Sequence, residues 1–293
     1  MKLTFFKQKK ASENYNINMM PTTRKQVFND IIHLQFARVI YVGLILLVFS
    51  LPLHIIDLFE DVYVTGMVAN ITDNNTQSEI EMISLGVVSL KNTIALIRIP
   101  LYLFFAVGLS GVLRILRQYC WIENVSIKHD FLLGIKQNLK QCLLLATVFS
   151  ILNFLSTYLI NTSYMVGEQN YSVFLFLPVA IEFLLILPMV LIICVCIPVY
   201  SNTFMQNIKV AASLMMKKYF KILFSSVLLS LPFVIISELG FYQNLVIRLI
   251  YSVLGGFFII GFFLFTYNVM DEHINSKYFP ELVGRGITWN EDN

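Results

Sequence analysis

The chain has 293 residues, of which 57% are apolar and only 13% are charged. A soluble globular domain carries about 25% charged residues, so this chain has too little polar surface to cover a water-soluble globule. The formal net charge of +3 gives no reason to expect a nucleic-acid partner. With a mean hydropathy of +0.72, the composition indicates a protein whose main partner is the lipid bilayer.

Six stretches of the chain are predicted to cross the membrane. A spanning helix needs about 20 mostly apolar residues, because the hydrocarbon core is about 30 Å thick and each residue rises about 1.5 Å. The fifth stretch is the shortest. The sequence therefore predicts an all-α polytopic integral membrane protein with a basic N-terminal tail (1–38), one transmembrane domain (39–268) and a C-terminal tail (269–293). The predicted spans are 39–58, 93–116, 142–160, 171–199, 222–237 and 245–267.

The distribution of lysine and arginine predicts the orientation of these spans. Seven of these residues precede the first span, five lie around the connection between spans two and three, and four lie between spans four and five. Two more follow the last span, which places 18 of the 21 on one side. Since basic residues accumulate in cytoplasmic connections, both tails are predicted to be cytoplasmic.

The longest connection on the other side covers residues 60–92. Its first part is polar, which is typical of a flexible loop, whereas residues 80–90 are apolar enough for a helix. That helix either lies on the membrane surface or extends the second span.

Two cytoplasmic segments have amphipathic helical patterns. In the first, Asp130 is a candidate N-cap, and Phe131, Ile135, Leu139 and Cys142 follow at helical spacing. Lys136, Asn138 and Lys140 fall outside that stripe.

The second segment repeats this pattern. Phe204, Ile208, Ala211 and Met215 form its apolar stripe, and Lys209 lies on the polar side. Both segments are interpreted either as connectors on the membrane surface or as a docking face for a cytoplasmic partner. The candidate docking residues are Asp130, Phe131, Lys136, Asn138, Phe204 and Lys209.

Glu182 lies near the middle of the predicted fourth span, where an ionisable group is costly and must be neutral, paired or hydrated. One interpretation is a site for a substrate, proton or ion, and the other is a neutral acid that hydrogen-bonds neighbouring helices. Pro178, Pro188 and Pro198 lie in the same span and are expected to kink it.

Arg98 and Arg248 are predicted to lie just inside the outer boundary. Asp57, Glu60 and Asp61 are expected at the same level and are candidate ion-pair partners. The arginines either extend to water or bind an anionic ligand in an outward-facing vestibule. Together with Glu182 they form the candidate intramembrane polar site.

No catalytic, cofactor or metal motif is evident. The four histidines are scattered and form no HExxH pattern, and neither a phosphate-binding GxxxxGK[ST] loop nor a GxSxG elbow occurs. The four cysteines lack metal-binding spacing. The sequence therefore favours a non-enzymatic protein without a cofactor or metal.

Two blocks carry a resemblance to a known family. The first combines Gly111-Val-Leu-Arg-Ile-Leu-Arg117 with Asp130-Phe-Leu-Leu-Gly-Ile-Lys-Gln-Asn-Leu-Lys-Gln141, and the second is Asn275-Ser-Lys-Tyr-Phe-Pro-Glu-Leu-Val-Gly-Arg-Gly286. Both blocks resemble the YesL-like family of bacterial integral membrane proteins, over roughly residues 39–286. The resemblance implies a bacterial cytoplasmic membrane protein, association with carbohydrate uptake or breakdown systems, and no catalytic residues.

Two functional hypotheses follow. The first is an accessory or partner of a bacterial transport system that binds membrane transporter subunits, and the resemblance implies carbohydrates as the candidate cargo of that system. The alternative is a self-sufficient small-solute transporter or channel that uses Glu182 in a kinked fourth span.

Overall fold

The structure is a computed structural model that describes residues 21–72, 75–163, 177–236 and 241–287. Within those ranges the chain forms six long helices and no β-strand. The N-terminal 20 residues and the first part of the predicted fourth span (171–176) lie outside the described residues. The helices are α1 (Arg24–Ala69), α2 (Gln77–Cys120), α3 (Ile127–Ser163), α4 (Leu177–Cys196), α5 (Phe204–Ile236) and α6 (Phe241–Met270).

Five helical segments are long and apolar enough to cross a membrane: α1, α2, α3, α4 and the segment Gln243–Tyr278, which contains most of α6. The prediction of an all-α, multi-pass membrane protein is therefore confirmed. The predicted fifth span coincides with the second half of α5, except that Ser237 lies outside the described residues.

Helix α1 is much longer than the span predicted within it. Its 46 residues correspond to about 69 Å at about 1.5 Å per residue, more than twice the thickness of the hydrocarbon core. A capping box begins it: the Thr23 hydroxyl accepts from the Gln26 N–H, and the Gln26 side chain accepts from the Thr23 N–H. The backbone leaves helical geometry at Gln35 (φ −126°, ψ 15°), which separates a short initial segment from the main helix.

The predicted connection 60–92 is mostly helical. Helix α1 continues to Ala69 and α2 begins at Gln77, so the apolar stretch 80–90 is an extension of the second span and not a separate helix. Residues 59–69 and 77–92 are named here the α1–α2 hairpin. The end of the bundle that carries this hairpin, where Asp57 and Glu60 lie, is named the acidic end, and the opposite end the basic end.

Helices α2 and α3 pack along each other as an antiparallel pair. A Cβ atom on Gly134 would lie 2.8 Å from the Gly111 carbonyl oxygen, so the two backbones approach closely because both positions are glycine. The predicted amphipathic segment 130–141 is therefore the first part of α3, packed against α2. The predicted N-cap was wrong: α3 begins at Ile127, and the Asp130 carboxylate instead accepts a 2.8 Å hydrogen bond from the Ser126 N–H.

Proline shapes α4 at one internal position. Pro178 lies in the first described turn and Pro198 lies two residues past Cys196, so of the three only Pro188 interrupts the described helix. Proline has no N–H to donate to the carbonyl four residues earlier, which is that of Leu184. The chain forms a π-helical turn at Glu182–Ile186, and the Leu184 carbonyl accepts a 3.1 Å hydrogen bond from the Tyr219 hydroxyl of α5.

Helix α5 contains the second predicted amphipathic segment. Its backbone leaves helical geometry at Lys218 (φ −134°, ψ 34°), which separates this segment from the predicted fifth span. Ala211, Leu214 and Met215 are buried and Lys209 is exposed. The apolar stripe predicted here therefore faces the protein.

Helix α6 packs antiparallel to α1. A Cβ atom on Gly43 would overlap the Val253 carbonyl oxygen, and one on Gly256 would lie 3.1 Å from the Val39 carbonyl oxygen. Small residues at such crossings allow close helix packing in membranes. Beyond Met270 the chain continues through a π-helical turn at Asp271–Asn275, a short helix at Ser276–Tyr278 and a 3₁₀ turn at Pro280–Leu282. The predicted C-terminal tail is thus helical at its start.

Candidate functional site

Three helices meet in a cluster of charged side chains at the acidic end. Asp57 of α1 accepts from Arg98 of α2 at 2.8 Å and from Arg248 of α6 at 2.7 Å, one carboxylate oxygen to each arginine. Arg98 also donates to Glu60 at 2.7 Å. All four side chains are at least three-quarters buried. A single carboxylate therefore connects α1 to α2 and α6.

Further polar groups extend this cluster in both directions. The Asn244 amide donates to Asp61 at 3.3 Å, and its carbonyl oxygen accepts from Arg248. One turn deeper along α1, the His54 Nε2 atom lies 3.0 Å from the Ser252 hydroxyl.

The predicted pairing of the two arginines with acidic residues is confirmed for Asp57 and Glu60, whereas Asp61 is linked only through Asn244. An anionic ligand would have to displace carboxylates that already occupy the guanidinium donors. The arrangement is therefore better suited to holding helices together than to binding an anion.

Glu182 makes a specific contact with α3. Its carboxylate accepts a 2.6 Å hydrogen bond from the Asn153 amide, and the residue begins the π-helical turn of α4. Tyr102, one helical turn from Arg98, packs edge-on against Phe149 of α3 with 5.3 Å between ring centroids, and Phe149 precedes Asn153 by one turn. Glu182 is therefore in the same half of the bundle as the arginine cluster, although no direct bond joins them in the described residues.

Two of the candidate docking residues point into the protein. Asp130 accepts from Gln118 at 3.1 Å and from Arg114 at 3.4 Å, and the Asn138 amide donates to the Ser110 carbonyl at 3.1 Å. Both side chains are buried. Asn138 falls outside the apolar stripe, and the prediction that it therefore faces away from the protein was wrong. The face of α3 that packs on α2 also carries a polar side chain, because α2 offers a backbone carbonyl as its partner.

The other four docking candidates differ in exposure. Phe131 packs over Gly111, and Phe204 is partly buried against the core. Lys136 and Lys209 are exposed, on α3 and α5 respectively. Of the six residues, four therefore pack within the bundle and two are exposed lysines.

The basic end contains a buried network that the sequence did not suggest. Arg24 at the start of α1 pairs with Asp271 at 2.6 Å, and Asn275 donates to Asp271 at 2.7 Å and accepts from the Tyr200 hydroxyl at 2.6 Å. Burial raises the pKa of the Tyr200 phenol above its ordinary value, so the hydroxyl stays protonated and donates. The network connects α1, the α4–α5 connection and the end of α6.

The C-terminal segment closes over this network. Arg24 also donates to the Arg285 carbonyl, and the Arg285 guanidinium stacks over the Trp121 ring at 5.1 Å. Gly286 has a φ of +84°, and a Cβ atom there would lie 2.5 Å from the Cys120 carbonyl oxygen. The glycine in the motif Gly284-Arg-Gly286 is thus required by both the backbone conformation and the close approach.

In the described residues, no group of three His, Cys, Asp or Glu side chains is placed to hold a metal ion. The four cysteines are buried and unpaired with one another. The polar clusters at the two ends therefore consist of ion pairs and hydrogen bonds between helices.

Comparison of the chain with protein-family models, with curated proteins and with solved structures found no match.

Proposed function

We propose that this chain is a non-enzymatic accessory protein of a bacterial membrane transport system, and that it binds its partner through the α1–α2 hairpin. The observation that carries the proposal is the exposed apolar surface of that hairpin beyond the predicted spans. The predicted orientation places the hairpin on the outer side of the cytoplasmic membrane.

The hairpin projects well past the ends of the predicted first and second spans. Residues 59–69 extend about 16 Å and residues 77–92 about 24 Å, at about 1.5 Å per residue. Its exposed side chains include large apolar ones that are poorly suited to water: Tyr63, Val62, Val68, Leu85 and Met82, the last 70% exposed. Exposed apolar side chains at this density are typical of a protein or membrane interaction site.

A groove of about 320 Å³ lies against the same hairpin. Its lining is mostly aliphatic, with Val64, Val68, Val87 and Val88 among its members, and Lys91 is its charged member. A helix or loop of a partner with an apolar side chain and a carboxylate fits this chemistry.

The internal charges support a scaffold role. The arginine cluster at the acidic end and the Arg24–Asp271 pair at the basic end are neutralised by carboxylates of the same chain. Buried ion pairs of this kind require both partners in place, so they hold the long helices in one arrangement and present the hairpin rigidly.

Affinity purification from gently solubilised membranes, followed by mass spectrometry, tests this proposal. The wild-type protein should retain transporter subunits in stoichiometric amounts. Met82→Lys, which places a charge on the hairpin, should lose these subunits. Met205→Lys should retain them, because Met205 is similarly exposed but lies on α5, outside the hairpin. Absence of stoichiometric subunits from the wild-type preparation would contradict the proposal.

A second candidate function is a small-solute transporter that uses Glu182. The observation that favours it is the π-helical turn beginning at Glu182, since π-turns occur often at functional sites. Glu182→Gln keeps an acceptor for Asn153 but removes the charge. Flux into reconstituted vesicles should be abolished by this change under the transporter hypothesis, and unchanged flux would exclude this mechanism.

A further inference from the structure

An apolar groove of about 650 Å³ opens on the side of the bundle between α1 and the start of α3. Apart from Lys128, its lining consists of Ile127 and Phe131 with their neighbour Leu132 on α3, and of Tyr41, Leu44, Ile45 and Val48 on α1. The α1 residues belong to the predicted first span. The predicted topology therefore puts the α1 wall of the groove at a depth that acyl chains occupy.

One cation lines this groove at its basic end, and helical spacing places a second cation next to it. Lys128 lines it directly, and its position three and four residues before Phe131 and Leu132 places all three on one helix face. Arg38 precedes Tyr41 by three residues and Ile45 by seven, so the same geometry places it on the groove face of α1.

Among the described residues, no carboxylate neutralises either cation. Neither Arg38 nor Lys128 forms an ion pair with any carboxylate in the part of the chain that the structure describes. This distinguishes them from Arg24, Arg98, Arg114, Arg117 and Arg248, each of which pairs with an acidic side chain. The two unpaired charges therefore suit an anion supplied from outside the chain.

We propose that this groove is a binding site for one anionic phospholipid of the leaflet next to the basic end. An acyl chain lies between α1 and α3 against Leu44, Val48 and Leu132, and the phosphate contacts Arg38 and Lys128. Anionic headgroups are attracted to basic residues next to a span, whereas a zwitterionic headgroup gains less. The site is independent of the proposed transport partner, which binds at the opposite end.

Native mass spectrometry of the detergent-purified full-length protein, titrated with phosphatidylglycerol or phosphatidylcholine of the same chain length, tests the site. The wild-type protein should bind one phosphatidylglycerol molecule in preference to phosphatidylcholine. Each of Arg38→Ala and Lys128→Ala should weaken phosphatidylglycerol binding about fivefold, and the double variant about 30-fold. Phosphatidylcholine binding should change little.

Matched controls separate this site from general attraction to basic residues. Lys25→Ala on α1 and Lys136→Ala on α3 remove exposed cations outside the groove and should leave the preference unchanged. Leu44→Trp should displace both lipids by filling the apolar part, with the retained thermal stability of the variant showing that it is folded. The proposal would be overturned if the double variant Lys25→Ala/Lys136→Ala lost as much phosphatidylglycerol binding as Arg38→Ala/Lys128→Ala. Unchanged binding in all variants would also overturn it.

Discussion

Replacing Asp57 with asparagine should destabilise the bundle more than any other single charge neutralisation at the acidic end. Asp57 bonds to both Arg98 and Arg248, each at 2.8 Å or less. After the change Arg98 keeps the charge of Glu60, whereas Arg248 keeps only neutral side-chain partners, Asn244 and the amide oxygen at position 57. Removing one partner of a buried ion pair costs about 3–5 kcal/mol, and an exposed pair contributes about 0.2–1 kcal/mol.

The cost of breaking this cluster should lie between these two values, nearer to that of a buried pair. The Arg248 side chain is 12% exposed and that of Asp57 25%, so some water reaches the charges. We expect Asp57→Asn to lower the free energy of unfolding by about 2–3 kcal/mol. The measurement is reversible unfolding in mixed micelles by titration with a denaturing detergent, followed by circular dichroism.

Asp61→Asn is the matched control. Asp61 is exposed and accepts only from the Asn244 amide, so its neutralisation should change stability by less than about 0.5 kcal/mol. The double variant Asp57→Asn/Arg248→Gln should be less destabilised than the sum of its single changes, because it removes both charges of one pair. Equal effects of Asp57→Asn and Asp61→Asn would refute the reasoning.

Two further stability predictions use the same unfolding assay. Gly43→Ala should lower the free energy of unfolding by about 1–3 kcal/mol, because its Cβ would overlap an α6 carbonyl oxygen. Gly255→Ala is the control and should be neutral or stabilising, because there is open space around the new atom. Equal effects of the two changes would argue against the close α1–α6 crossing. Tyr200→Phe should cost about 1–3 kcal/mol because it removes the donor to the buried Asn275 oxygen, and Tyr278→Phe, an exposed tyrosine, should cost almost nothing. A stable Tyr200→Phe variant would show that the basic-end network contributes little.

The sequence predicts well the features that depend on hydrophobicity and charge along one helix. Long apolar stretches identify the membrane class, and opposite charges at the ends of different spans predict the pairing of Arg98 and Arg248 with Asp57. The pattern at 204–215 predicts the apolar part of the inward face of α5, although the fully buried Asn207 also lies on that face. The spans and this apolar stripe follow from hydrophobicity along one helix, whereas the ion pairs follow from the level at which charges lie in different spans.

Features that depend on packing between distant helices were missed or misplaced. Asn138 was assigned to the polar face, since hydrophobicity does not reveal that α2 offers the Ser110 carbonyl as a partner. Arg24 and Asp271 are 247 residues apart, and no local signal relates them. The length of α1 beyond its apolar core was also underestimated, because the polar residues after Asp57 are compatible with both a loop and a solvated helix.

The central claim, that the α1–α2 hairpin binds a transport partner, is tested most directly by photocrosslinking in native membranes. A photoreactive amino acid replaces Met82 on the hairpin, and a parallel variant carries it at Met205 on α5, which is also highly exposed. Crosslinking from position 82 to a transporter subunit, with no such product from position 205, is the predicted result. Crosslinks to transporter subunits from position 205 alone, or from neither position, would contradict the claim.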